Sequence, residues 1–257
     1  MKSRYPHIEF DRLQMYFGDP YVIDVEDAEG SLTIYQPTIG DIVRLGEKKF
    51  YSTLSIFITN TTTYRLPLWE SGLDWNVVSD FQLFTMLYKG IDPEAEKLIL
   101  GDVDITEFGL FQKNESEVIL YNPSLNIEIN ENVYNHMAMY LRTVFSMLPE
   151  EKYTDDPILK QWYINKDKRD KEIGEIKEER GEAKEASIVA LISSCINHPG
   201  FKYNLQELRD IGVCQFYDSV KRLQIYENTT SLLKGMYSGM IDGSKIKPDD
   251  YNFMKDI

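Results

Sequence analysis

Residues 108–129 read FGLFQKNESEVILYNPSLNIEI, and their bulky apolar positions fall in a short period: Phe108, Leu110 and Phe111, then Val118, Leu120 and Tyr121, then Leu125, Ile127 and Ile129. A period of two marks a strand with one buried face, whereas a helix repeats every 3.6 residues. Lys113-Asn114-Glu115-Ser116 and Asn122-Pro123-Ser124 supply the turns between the apolar runs. The stretch near 101–132 therefore predicts a small antiparallel three-stranded β meander. It is inserted in a chain whose other long apolar patterns are helical, and that contrast decides the class: α+β, mainly helical.

Toward the N-terminus, Val22, Ile23 and Val25 precede the turn formers Glu26 to Gly30, and Leu32, Ile34 and Tyr35 follow them. This predicts an N-terminal β-hairpin. Thr38 with Asp41 three residues on has the form of a capping box, opening a short helix that Gly46 ends. A second helix is expected from Glu47 to about Thr59, with Phe50, Leu54, Phe57 and Ile58 on one face. Tyr64 to Glu70 and Val77 to Tyr88 read as further helical pieces, the latter with Val77, Phe81, Phe84 and Tyr88 together. Beyond the meander, Tyr134, Met137, Leu141, Val144, Phe145 and Leu148 predict a helix over 133–148, which Pro149 stops.

Composition changes between Lys166 and Glu185, where charges of both signs interleave and Ile173 and Ile176 are the only bulky apolar residues. Two readings stand: a solvated helix carried by i,i+4 Glu/Lys pairs, or an arm whose isoleucines dock on a partner. Helices are expected over 183–197 and 205–211. A long one over 216–240 spaces Phe216, Val220, Leu223, Tyr226, Thr230, Leu233, Tyr237 and Met240 three or four apart, a seam that packs on another helix of the same or a second subunit. The tail after Gly243 reads as loop with a turn at Pro248. The expected organisation is a mixed α/β unit over 1–150, a charged helical linker over 151–187 and a helical domain over 188–257.

A formal net charge of -14 sets this surface against phosphate backbones, and no Lys/Arg-rich stretch escapes acidic interleaving, so nucleic-acid binding is not expected. Two cysteines, Cys195 and Cys214, are too few for a disulfide scaffold. The polar start, Met1 to His7, has no apolar stretch behind it to form a signal peptide, and no apolar run has the length of a membrane span. The 17 Tyr and 12 Phe give large apolar surfaces with a wet hydroxyl, suited to extensive contact.

Catalytic chemistry finds little to stand on. Nucleophilic catalysis needs a base beside Ser or Cys, and the histidines are His7 in the terminus, His136 within an apolar helical pattern and His198 at a helix end. Gly-x-Ser-x-Gly and phosphate-binding glycine loops are missing. Cys195-x-x-His198 with Asp210 and Cys214 lacks the second close pair that structural zinc favours. Acid pairs such as Asp102/Asp104, Asp155/Asp156 and Asp249/Asp250 follow from the acidic composition, and Asp242-Gly243-Ser244 lacks the closing Glu of a calcium loop. Sequons at Asn60, Asn114 and Asn228 have no chemistry behind them without secretion. A non-enzymatic protein with no cofactor and no metal is expected, acting by protein contact, with Leu223, Tyr226, Leu233 and Tyr237 as candidate partner-binding residues.

Two stretches carry a resemblance. One runs Tyr35-Gln36-Pro37-Thr38-Ile39-Gly40-Asp41-Ile42, Gly46-Glu47 and Phe50-Tyr51, on to Gly72-Leu73-Asp74-Trp75 and Asp80-Phe81-Gln82-Leu83-Phe84. The other is Tyr226-Glu227-Asn228, Leu232-Leu233, Gly235-Met236-Tyr237-Ser238-Gly239 and Ile241-Asp242. Together they resemble tail assembly chaperones of long-tailed phages and prophages of Gram-positive bacteria, over roughly the first 90 and the last 45 residues. The resemblance implies a late protein in the cytoplasm of the bacterial host that escorts the tape-measure protein and recruits tail-tube subunits, with homo-oligomerisation possible. The meander and the charged stretch lie outside it, which leaves a structural component of the tail or virion as the alternative.

Overall fold

The computed structural model describes residues 5–114, 117–181 and 187–255. In chain order it contains α1 (Arg12–Phe17), β1 (Tyr21–Ile23), β2 (Leu32–Ile34), α2 (Ile39–Leu45), α3 (Glu47–Ile58), α4 (Arg65–Glu70), α5 (Asp80–Leu87) and α6 (Pro93–Leu100). Then follow β3 (Gly109–Gln112), β4 (Val118–Asn122), β5 (Ile127–Ile129), α7 (Glu131–Val144), α8 (Pro157–Glu179), α9 (Ile188–Asn197), α10 (Glu207–Asp210) and α11 (Val213–Tyr237). Helix takes 56% and strand 8%, so the class is α+β and mainly helical.

Both predicted sheets form. β1 pairs antiparallel with β2, setting Tyr21 opposite Ile34 and Ile23 opposite Leu32. The meander has the order β3-β4-β5, with Leu110 opposite Leu120 and Leu120 opposite Ile129. The turn residues Glu115 and Ser116, the last two positions of the sequon that starts at Asn114, lie outside the described residues.

The capping box at α2 is complete: the Thr38 hydroxyl accepts the Asp41 N–H at 3.1 Å while the Asp41 carboxylate accepts the Thr38 N–H at 2.8 Å. Gly40 then lets α2 lie on α10, because a Cβ there would stand 2.7 Å from the Arg209 carbonyl oxygen. Phe50, Leu54 and Phe57 of α3 are fully buried against α7, whose Tyr134, Met137 and Leu141, with Phe145 just past its end, belong to the same main core. That same buried cluster contains Ile188, Cys195, Leu208, Val213 and Phe216.

Several edges differ from expectation. α1 and α6 were not anticipated. α1 has no buried residue and so no apolar face to read, and α6 is announced only by Asp92, which caps it, and Pro93. α5 begins at Asp80 behind a Ser79–Gln82 capping box, which leaves Val77 outside the helix and 80% exposed. α7 stops at Val144, four residues short of expectation. Ser146 takes φ 54°, and the Ser146 and Met147 amides return to the carbonyls of Thr143 and Arg142, closing a Schellman turn without glycine. α8 starts at Pro157 because Asp156 caps it, and α11 starts three residues early, at Val213. Residues 182–186, where the helix ending at Asn197 was expected to begin, lie outside the described residues.

Behind α5 sits a buried polar centre. Arg142, 2% exposed, donates to the carbonyls of Ile58 (2.8 Å) and Thr59 (2.6 Å) and to Asp80 (3.1 Å). Asn60 donates to the Tyr5 hydroxyl (2.7 Å) and the Glu150 carbonyl (2.8 Å), tying the two ends of the first unit together. The carbonyls of Ile58 and Thr59 at the end of α3 thereby find a donor, the condition for burying polar backbone.

Candidate partner-binding surface

α11 is 25 residues long and changes environment along its length. Its start is held by backbone bonds to the segment before α2: the Val213 N–H donates to the Pro37 carbonyl (3.2 Å) and the Ile39 N–H to the Ile211 carbonyl (3.0 Å). Val213 and Phe216 are fully buried, and the Tyr217 hydroxyl meets that of Tyr51 at 2.7 Å. Val220 and Leu223 still pack on the main core. Beyond Leu223 the helix is less covered, and Thr229 is the single buried residue in its remaining turns.

The end is a second Schellman turn. Gly239 has φ 73°, its N–H donates to the Met236 carbonyl (3.0 Å), and the Met240 N–H donates to the Gly235 carbonyl (2.9 Å). The chain then folds back as a strap along α11 through 3₁₀ turns at Gly243–Lys245 and Pro248–Tyr251. Arg222 holds the end of the strap by donating to the Lys255 carbonyl (2.7 Å), and the Tyr226 and Phe253 rings meet edge-on at 6.3 Å. Between strap and helix opens a groove of 550 Å³ with Ile225, Leu232, Ile241 and Ile246 in its lining and Thr229 at its buried side.

The four candidate residues therefore have different surroundings. Leu223 packs on the main core, Tyr226 is half-exposed and engaged by the strap, Leu233 is half-buried, and Tyr237 is 86% exposed. Tyr237 and Met240, also 86% exposed, form an apolar tip at the far end of the helix. Phe253 and Met254 add exposed apolar surface from the strap. Nothing in the sequence signalled the strap residues, because a short loop with isolated aromatics has no periodicity to read.

The other candidate groups have structural surroundings. The His136 Nδ1 lies 2.6 Å from the Tyr21 hydroxyl, and burial pushes its pKa down. His198 accepts the Gly200 N–H at Nδ1, so its Nε2–H points to Glu227 at 3.0 Å, joining the end of α9 to α11. Both cysteines are free, and burial pushes the Cys214 thiol up to about 11. Among the described residues no group of three or more His, Cys, Asp or Glu has the arrangement to hold a metal ion. Among the same residues no helix is long and apolar enough to cross a membrane.

The most perturbed acid is Glu96 on α6, 1% exposed. Its Oε1 accepts the Ile105 N–H at 2.8 Å, while its buried Oε2 has no hydrogen-bond partner. Burial first, then the neighbouring Asp104, raises its pKa to about 7.

Residues 178–257 match the family model described as the YomV second domain, a phage-associated family. The match takes in all of α9, α10 and α11 and the strap, less than a third of the chain. Comparison with curated proteins and with solved structures gives no match.

Proposed function

We propose that this chain is a phage tail assembly chaperone, non-enzymatic, that binds the tape-measure protein and assists the assembly of tail-tube subunits around it. The observation that carries the reading is the apolar tip of α11, Tyr237 with Met240, standing free of the body within the segment that matches a phage-associated family. A surface of this kind suits an amphipathic helical client, whose apolar face needs cover until the tail is built. The acidic body around it, at -14 overall, keeps such a complex soluble and repels nucleic acid. The resemblance of residues 35–84 and 226–242 to tail assembly chaperones supports the same assignment.

The test is co-expression of the full chain with the tape-measure protein, together with mass spectrometry of purified virions. A chaperone keeps the tape-measure protein soluble, co-purifies with it and is lost from the finished particle. Recovery of the chain from virions at the copy number of a tail subunit would replace this reading with that of a structural component.

A further inference from the structure

The three-stranded meander has one engaged edge and one open edge. On the β5 side the Glu128 N–H donates to the Glu29 carbonyl (2.9 Å), so the loop of the N-terminal hairpin occupies that edge. On the β3 side the Lys113 N–H donates to the Glu117 carbonyl (2.9 Å), and opposed residues of an antiparallel pair alternate between bonded and non-bonded. The pairs Phe111–Ile119 and Gly109–Tyr121 therefore carry the β3–β4 bonds, and the N–H and C=O groups of Leu110 and Gln112 point away from β4. The same alternation holds at β5: Glu128 turns its N–H outward, so Tyr121 opposite it bonds β3 and not β5. Among the described residues no further hydrogen bond engages the main chain of Leu110 or Gln112. On the N-terminal side the open stretch ends at Phe108, whose carbonyl accepts the Tyr88 hydroxyl (3.0 Å).

The side chains leave this edge uncovered as well. Leu110 is on the face whose next residues across the sheet, Leu120 and Ile129, are fully buried, yet it is itself 55% exposed. Phe111, half-exposed on the other face, lays its ring back over Gly109, where a Cβ would come within 2.6 Å of it, and meets Tyr121 edge-on at 6.1 Å. Residues 109–112 contain neither a charge nor a proline, the usual guards of an edge strand. Outward N–H and C=O groups in this spacing are matched by another extended backbone.

We infer that β3 pairs antiparallel with β3 of a second copy of this chain, across a two-fold axis at Phe111. Leu110 then opposes the partner's Gln112, and Gln112 the partner's Leu110. Four hydrogen bonds satisfy every outward group of both residues, with none left over. Phe111 meets the partner's Phe111 as a non-bonded pair, the arrangement that brings side chains closest, and the two Leu110 side chains are diagonal neighbours on the opposite face. An axis at Leu110 would instead set Gln112 against the partner's Phe108, whose carbonyl is taken, and an axis at Gln112 would run Leu110 onto the bend at the partner's Asn114. Lys113 falls opposite the partner's Gly109, and its Nζ is held by Glu128 (2.7 Å), so two chains of net charge -14 meet with no like charges opposed. The two meanders become one six-stranded sheet. Such an isologous contact closes on itself and gives a dimer, not a filament. A single short strand pair is a small interface, so the dimer is weak, and salt strengthens it by screening the repulsion between the acidic bodies.

The test uses the full chain in sedimentation equilibrium, where the expected mass at high concentration is twice the 30.0 kDa of the chain. Leu110→Pro removes an outward N–H from each copy without touching a bond to β4, and weakens association by about tenfold or more while the melting temperature stays within a few degrees of the parent. A second pair of variants leaves the backbone alone. Phe111→Lys and Phe111→Glu each set like charges across the axis and abolish the dimer, and an equal mixture of the two restores it as a heterodimer. Under mild oxidation Phe111→Cys cross-links to itself, since opposed Cα atoms of a non-bonded pair are about 4.5 Å apart. Lys113→Cys does not, being about 14 Å from its copy, and the parent serves as the control for Cys195 and Cys214. A chain that stays monomeric, a dimer indifferent to Leu110→Pro, or Phe111→Lys and Phe111→Glu chains that stay apart when mixed would overturn the proposal. So would a β3 edge that binds an extended segment of another protein and never its own copy.

Discussion

Two buried charges dominate at the scale of single residues. Glu96 has a folded-state pKa of about 7 against 4.5 for the free group, so between those values the native chain holds a proton that the unfolded chain has lost. Stability therefore falls as pH rises through that window and levels off above it, by up to about 3 kcal/mol. Glu96→Gln keeps an acceptor for the Ile105 N–H and removes the titration. Urea unfolding at pH 5 and pH 8 should show the parent losing stability while the variant changes less, and equal slopes would contradict this. Arg142 is the opposite case, a cation with its donors directed at Ile58, Thr59 and Asp80. Burial already raises the Asp80 pKa against the lowering by Arg142. Arg142→Met is expected to cost about 3–5 kcal/mol, because the Ile58 and Thr59 carbonyls lose this donor and the Asp80 carboxylate, which keeps the Thr61 N–H, loses its buried counter-charge. Adding Asp80→Asn should recover part of that loss in denaturant titrations; no recovery would mean that the carbonyls alone account for it.

At the scale of elements, what the sequence made legible follows from where its signals are local. The Thr38–Asp41 box and the alternation from Leu110 to Ile129 are complete within a few residues, and both elements form where they were read. α1 and α6 lack a long apolar stripe, and a single capping aspartate, Asp11 or Asp92, is a weak signal without one. Asp80 could not be recognised as a buried ion-pair residue, since its partner Arg142 lies 62 positions away. The strap on α11 was hidden for the same reason: Tyr226 meets Phe253 only because Gly239 turns the chain back. The candidate seam shows the limit of periodicity most directly. Spacing put Leu223 and Tyr237 on one face, but the helix passes from core to solvent between them. Phe253→Ala should loosen the strap and raise amide exchange across 241–255 while leaving the melting temperature within a few degrees of the parent, because the strap lies outside the main core. Global unfolding by this variant would show that the strap is integral to that core.

At the scale of the whole molecule, a common core joins the first 150 residues to α9, α10 and the start of α11, and three features stand out from it: the apolar tip of α11, the strap and the exposed second half of α8. None of the three is needed to close the core, and each presents apolar surface on an acidic protein. A body that fixes such surfaces in place is suited to holding other chains. The functional account rests on the tip of α11, so the decisive measurement is a binding titration of the intact protein with helical segments of the tape-measure protein, set beside a Tyr237→Glu, Met240→Glu variant with the same melting temperature. The account predicts saturable binding by the parent and a loss of at least about tenfold in the variant. Equal binding by both proteins, or none by the parent, would contradict it.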